Sequence, residues 1–274
     1  MKGIDRITLA FESGGSASGG QRMRLMAHAV VGYPDAAASA RILAAMAASG
    51  ADLIEAQLPF SDPSADGSSI VAANHAALRS GSRTETCLAI LEALRAKTEA
   101  PILVMSYLNP ILAYGVEALV ERAASSGLDG FIVPDYPDDE SELGLAEKCS
   151  AAGLALVPLI APTTSLDRAA ALASASASPF LYVVLRLGVT GRKTVLDGPS
   201  LDRLAAIKAR TGKYVAAGFG IREKAQIDAL CRYADCAIVG SALVDAARDA
   251  VSAGADPARA VGEIVRSLTG AGVP

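Results

Sequence analysis

Residues 52–67 read DLIEAQLPFSDPSADG. The first six form an apolar run interrupted by Glu55, and the remainder holds Pro59, Pro63 and Gly67 together with Asp62 and Asp66. A short greasy run giving way abruptly to proline, aspartate and glycine reads as a strand that ends in a loop. The transition recurs along the chain: MAHAVV, PILVMS, GFIVPD, LALVPLI, FLYVVL, YVAAG and CAIVGS are further runs, making eight strand candidates with DLIEAQ. Between them lie Ala-rich segments of helical period, and Gly50, Gly153 and Gly212 stop predicted helices over 37–49, 139–152 and 200–211. Strands that are almost continuously apolar are buried on both faces, as a parallel sheet covered by helices requires. Eight βα units in roughly 250 residues is the arithmetic of a barrel. The reading is therefore an α/β fold, a single-domain (β/α)8 TIM barrel over residues 26–274. Residues 1–25 form a flexible N-terminal lead-in with a short helix, set off by SGGSASGG at 13–20. A doubly wound open sheet is the alternative, but no GxGxxG follows the first strand.

With 274 residues, 51% apolar and 20% charged, and a net charge of -4, the chain has ample material for a core. No stretch reaches the roughly 20 uncharged apolar residues of a membrane helix. The opening, MKGIDRITLAFESGG, has charges inside its apolar part and no signal-peptide layout, so the expected location is cytoplasmic. Cys87, Cys149, Cys231 and Cys236 share no metal-ligand spacing and read as reduced thiols. Mild acidity and 4% aromatic residues argue against nucleic acid as a partner.

In such a barrel the working groups sit where strands end and loops begin. The seventh and eighth loops carry Gly218, Gly220, Gly240 and Ser241 ahead of helices, and the sixth carries Gly188 and Gly191. Glycines there admit an anion close to backbone amides, with a helix N-terminus behind them, and predict a phosphorylated small metabolite. Tight turns are the competing explanation. Along the second strand Leu53, Glu55 and Gln57 share one face, which is either the barrel interior or the helix layer. An apolar surround would push a buried Glu55 carboxyl up, as suits a group that gives and takes protons near neutrality; pairing with a Lys or Arg is the alternative. Asp62 and Asp66 lie in a loop where each would ordinarily bond its own turn.

PFSDPSADG, with Glu55 four residues before Pro59, resembles the second-strand signature of the tryptophan synthase α chain family. GYPD, SYLNPI, GFIVPDYP, APTTS, GVTG, GFGI and VGSALV extend the likeness in order, over about residues 26–250. The resemblance implies a barrel lyase that cleaves indole-3-glycerol phosphate to indole and glyceraldehyde 3-phosphate, with no metal or cofactor in this chain. It also implies a β-chain partner in an α2β2 heterotetramer, which holds pyridoxal phosphate and condenses the indole with serine. By the same resemblance Glu55 is the general acid/base, Asp66 accepts the indole N–H, and Tyr182 stands beside Glu55. Thr190 closes a loop over substrate, while Gly191, Gly218, Gly220, Gly240 and Ser241 bind its phosphate.

The chain departs from the family pattern at three places. Glu55, Ala56 and Gln57 stand where the family has Glu-Leu-Gly, and Gln57 is expected to hydrogen-bond Glu55. His28, Ala29 and Val30 replace Phe-x-Thr, and Leu185, Arg186 and Leu187 precede GVTG. His28 reads as a core histidine and His75 as a solvated one. Tyr107 and Asn109 read as loop anchors, and Pro59, Phe60 and Asp62 as a partner surface. These departures leave two further readings beside the coupled lyase: an activating subunit of the β chain with weak chemistry, and a stand-alone lyase that releases indole.

Overall fold

The computed structural model describes residues 3–13, 22–137, 142–184, 197–218 and 220–270. The chain begins with α1 (Gly3–Glu12), β1 (Arg24–Val30), α2 (Ala36–Ala48), β2 (Leu53–Gln57), α3 (Ser68–Arg79), α4 (Thr84–Arg95) and β3 (Ile102–Met105). It continues with α5 (Leu108–Tyr114), α6 (Val116–Ser125), β4 (Gly130–Ile132), α7 (Leu145–Ala152), β5 (Ala155–Leu156), β6 (Leu159–Ile160) and α8 (Leu166–Ala175). Last come β7 (Phe180–Val184), α9 (Gly198–Thr211), β8 (Tyr214–Gly218), α10 (Lys224–Leu230), β9 (Cys236–Val239), α11 (Ser241–Ser252) and α12 (Pro257–Thr269).

All strand pairs are parallel, in the order β5-β4-β3-β2-β1-β9-β8-β7-β6. The two ends of that order, β5 and β6, are halves of the single predicted run LALVPLI, so the sheet closes into a barrel. Val157 N–H donates to Phe131 O at 2.9 Å on one side, and Tyr182 N–H donates to Pro158 O at 3.0 Å on the other. Pro158 has no N–H, which is why one run becomes two short ladders and the described residues hold nine strands against the eight expected runs. The predicted helix over 139–152 is also shorter than expected. α7 starts at Leu145 because Gly144 before it is left-handed (φ 62) and cannot extend a right-handed helix backwards.

Side chains alternate between two cores. Leu25, Ala27, Ile54, Ala56 and Val104 face the helix layer, while Met26, Leu53, Leu103, Ile132, Phe180 and Ile238 fill the barrel interior. Ile7 and Phe11 of α1 join the interior cluster, with the Phe11 ring stacked on Tyr214 at 4.7 Å and tilted on Phe180 at 5.3 Å. α1 thus stoppers the end of the barrel at which the strands begin. Aspartates that immediately precede strands lace that end, Asp129 and Asp235 buried and Asp52 half-buried. Asp52 accepts Leu25 N–H at 2.8 Å, Asp129 accepts Ile102 N–H at 2.7 Å, and Asp235 accepts Val215 N–H at 2.9 Å. Each also meets a cation: Arg22 for Asp52, Arg6 and Arg95 for Asp129, Lys208 for Asp235. With one end stoppered, the other end is left for chemistry. Among the described residues no helix is long and apolar enough to cross a membrane.

Candidate active site at the strand ends

The parallel register of β1 and β2 sets His28 opposite Glu55 and Val30 opposite Gln57. Met26 and Leu53 lie in the interior cluster, so strand alternation turns His28, Glu55 and Gln57 inward as well. That settles which face Glu55 takes. It is 3% exposed, and its Oε2 lies 3.0 Å from His28 Nδ1. Its partner is therefore an imidazole, and neither the apolar surround nor the Lys or Arg considered from sequence is what it meets.

Asp66 is brought in by the loop after β2, and that loop is tied from several sides. Tyr107 OH donates to Asp66 Oδ2 at 3.0 Å while accepting Ala65 N–H at 3.0 Å, and the Phe60 and Tyr107 rings lie 5.4 Å apart. Phe60 N–H donates to Asn74 Oδ1 at 2.9 Å, and a His75 ring nitrogen lies 2.9 Å from Ser61 O. Gln57 Nε2 donates to Asp66 Oδ2 at 2.7 Å. This corrects the expectation that Gln57 would serve Glu55. Asp62 is exposed and bonded to the Ser61 hydroxyl within its own turn, whereas Asp66 is 7% exposed and bonded to Gln57 of β2 and to Tyr107. Of the two predicted anchors Tyr107 serves, while Asn109 is exposed. Asn74 escaped the sequence reading, although its helical spacing from Ile70, Ala73 and Ala77 marks it as a polar group on the buried face of α3.

Burial pushes the Asp66 carboxyl above its ordinary value, and Glu55 adds to this, against His28, Gln57 and Tyr107, which hold it down. For His28 burial works downward, but the Glu55 charge and hydrogen bond, together with Asp66 and Gln57, outweigh it and the imidazole ends up raised above 6.5. Tyr182 on β7 lies in the field of both carboxylates, and desolvation with their charges holds its hydroxyl protonated far above its normal range.

The predicted phosphate residues lie around the same mouth. Gly218 ends β8 against Tyr182, where an added Cβ would meet the ring at 3.6 Å. Gly220 follows in a left-handed conformation (φ 63). Gly240 caps α11 without any side-chain hydrogen bond, with its backbone against the His28 ring, and Ser241 is the buried first residue of that helix. A helix start left bare in this way suits an anion. Thr190 and Gly191, with Leu185, Arg186, Leu187 and Gly188, lie outside the described residues. A cavity of about 960 Å³ reaches Ala65 of the Asp66 loop and Val184 at the end of β7, but most of its lining lies on α7, α8 and the β5–β6 segment, and Glu55, Asp66 and Tyr182 do not border it.

Two buried carboxylates at one end of the barrel, a tyrosine on β7 and a bare helix N-terminus make up the candidate site. The family model described as tryptophan synthase alpha chain matches residues 17–270. This chain belongs to the tryptophan synthase alpha chain family. The alpha chain of Roseiflexus sp. is 42% identical over 253 residues, covering 91% of this chain and 94% of its relative. That of Chloroflexus aurantiacus is 41% identical over 225 residues, covering 82% and 84%. Among solved structures, Mycobacterium tuberculosis tryptophan synthase superposes with a TM-score of 0.85 at 33% identity, covering 97% of each chain. The tryptophan synthase A-subunit of Pyrococcus furiosus gives 0.81 at 29% identity, over 90% of this chain and 98% of that one. The resemblance read from PFSDPSADG and its companion motifs is thereby established, and the barrel with it.

Proposed function

We propose that this chain cleaves indole-3-glycerol phosphate to indole and glyceraldehyde 3-phosphate and passes the indole to a tryptophan synthase β chain in an α2β2 assembly. The observation that carries the reading is the convergence of buried Glu55 and Asp66 at the open end of the barrel, each held by its own partners. Protonated Glu55 gives its proton to the indole carbon that bears the glycerol chain. The positive charge so formed spreads to the ring nitrogen, whose N–H is donated to the Asp66 carboxylate. Glu55 then takes the proton of the adjacent hydroxyl, whose oxygen forms the aldehyde carbonyl. The carbon–carbon bond breaks, and its electron pair returns to the ring and restores indole. One proton enters and one leaves, so the step balances.

Tyr182 walls the reacting carbon beside Glu55. Gly191, Gly218, Gly220, Gly240 and Ser241 hold the phosphate, whose remote binding energy orients the bond to be broken, and Thr190 closes the sixth loop over the substrate. The chain works in the cytoplasm without a cofactor of its own, and pyridoxal phosphate belongs to the β chain. Indole release by the purified chain, with and without a cognate β chain, tests this, and the absence of Trp removes protein background from substrate fluorescence. The expected result is release that rises on adding the β chain and falls by about 10² to 10⁴-fold in Glu55→Gln. Undiminished release by Glu55→Gln would overturn the assignment.

A further inference from the structure

We infer that His28 and Glu55 form one buried hydrogen-bonded unit at the heart of the site, beside the Gln57–Asp66 pair, in which His28 stores the proton that Glu55 delivers. His28 is here a positioning residue that works through Glu55, and its part in turnover rests on the reaction proposed above.

Hydrogen bonds divide the four polar side chains into two pairs. Gln57 gives its amide nitrogen to Asp66 at 2.7 Å; the opposite amide orientation would set an oxygen against a carboxylate. Its Oε1 is consequently left over, buried and without a hydrogen-bond partner among the described residues, and the same holds for His28 Nε2. The Gln57 side chain bears on His28 in the sense that favours the charged ring. His28 Nε2 and Gln57 Oε1 are not bonded to each other, so the one firm contact of the ring is Nδ1 to Glu55 Oε2 at 3.0 Å, across which a proton can pass.

Charge balance agrees. The charged groups bearing on His28 are Glu55 from β2 and Asp66 from the loop beyond it, and Tyr182 of β7 faces the same two carboxylates. From α11, which adjoins β1, Asp245 is engaged by Ser69, Arg222 and Arg248, and Asp249 by Arg248. A cation between two buried carboxylates relieves their repulsion. The Gly240 backbone bounds the ring on its other side, at 3.5 Å for an added Cβ, which leaves the imidazole little room to turn away. During turnover the His28 Nδ1 proton passes to Glu55 Oε2 and then to the indole carbon. The hydroxyl proton returns to Glu55 and from there to His28, with no net change.

The full chain has only two histidines, His28 and His75, so nitrogen NMR of histidine-labelled protein gives two imidazoles, told apart with His75→Gln. The expected result is a His28 ring with both nitrogens protonated at pH 7, and a titration that falls by about one unit or more, a tenfold change in proton affinity, in Glu55→Gln. A neutral His28 at pH 7, or a titration unmoved by Glu55→Gln, overturns the unit. In the complex with a β chain, His28→Phe is expected to lower kcat roughly tenfold or more with KM little changed, and to shift the acid limb of the pH profile. His28→Asn keeps a donor for Glu55 but cannot hold a second proton, so wild-type kcat in that variant would overturn proton storage. Should the wild-type chain release no indole, the proposed reaction falls, and the NMR measurement still decides whether the unit exists.

Discussion

At the scale of the residue, the site works by giving two carboxylates different company. Glu55 has an imidazole, and Asp66 has an amide and a phenol on one oxygen. In the proposed reaction Asp66 must be ionised to accept the indole N–H, yet burial raises its carboxyl, so activity should fail on acidification at a higher pH than an ordinary aspartate would set. Tyr107→Phe removes one of the bonds that hold Asp66 down. The acid limb of kcat/KM should therefore move to higher pH in that variant, and an unmoved limb would show that Tyr107 does not govern Asp66 ionisation. Asp66→Asn keeps the shape but loses the charge, and kcat should drop by about 10² to 10³-fold, the cost of removing one preorganised electrostatic partner. Stopped-flow detection of indole from the variant measures it directly.

At the scale of the element, α1 is held to the barrel by the side chains it buries there. Phe11 is 1% exposed and touches two rings of the interior. Phe11→Ala should cost about 3–5 kcal/mol in a denaturant melt, the range for emptying a buried aromatic site. A loss below 1 kcal/mol would mean that α1 detaches freely. Asp129, wholly buried between Arg6 of α1, Arg95 of α4 and the Ile102 amide, binds that end together. Asp129→Ala leaves two mostly buried guanidinium groups without their anion, and about 3–5 kcal/mol should be lost. Loop elements follow the same logic: Asn74 of α3 and Tyr107 ahead of α5 reach into the segment after β2, so the position of Asp66 depends on helices and loops far from it in sequence.

At the scale of the whole molecule, stability and the proposed proton storage meet at His28. Its folded-state affinity for a proton exceeds that of the unfolded chain, so the stabilisation it contributes is fully present below pH 6.5 and disappears as pH rises through its higher folded value. Melting wild type and His28→Phe across pH 6 to 9 should show the wild type losing the steeper increment; parallel curves would remove His28 from the balance. Much of this molecule was legible in the linear chain. Eight apolar runs, the glycine stops and the positions of Glu55 and Asp66 after DLI and before a helix follow from local periodicity, because burial on both faces and turn chemistry are written residue by residue. The direction in which Glu55 points was not, since alternation fixes a face but leaves open which side of the sheet is the interior. Closure of the barrel decided that, and it also split LALVPLI at Pro158, put Ile7 and Phe11 into the core, and turned Gln57 from Glu55 to Asp66. His28 read as a core histidine because its partner lies 27 positions away. Contacts of that kind come from the register between parallel strands, which the local sequence carries no signal for and only the closed sheet supplies.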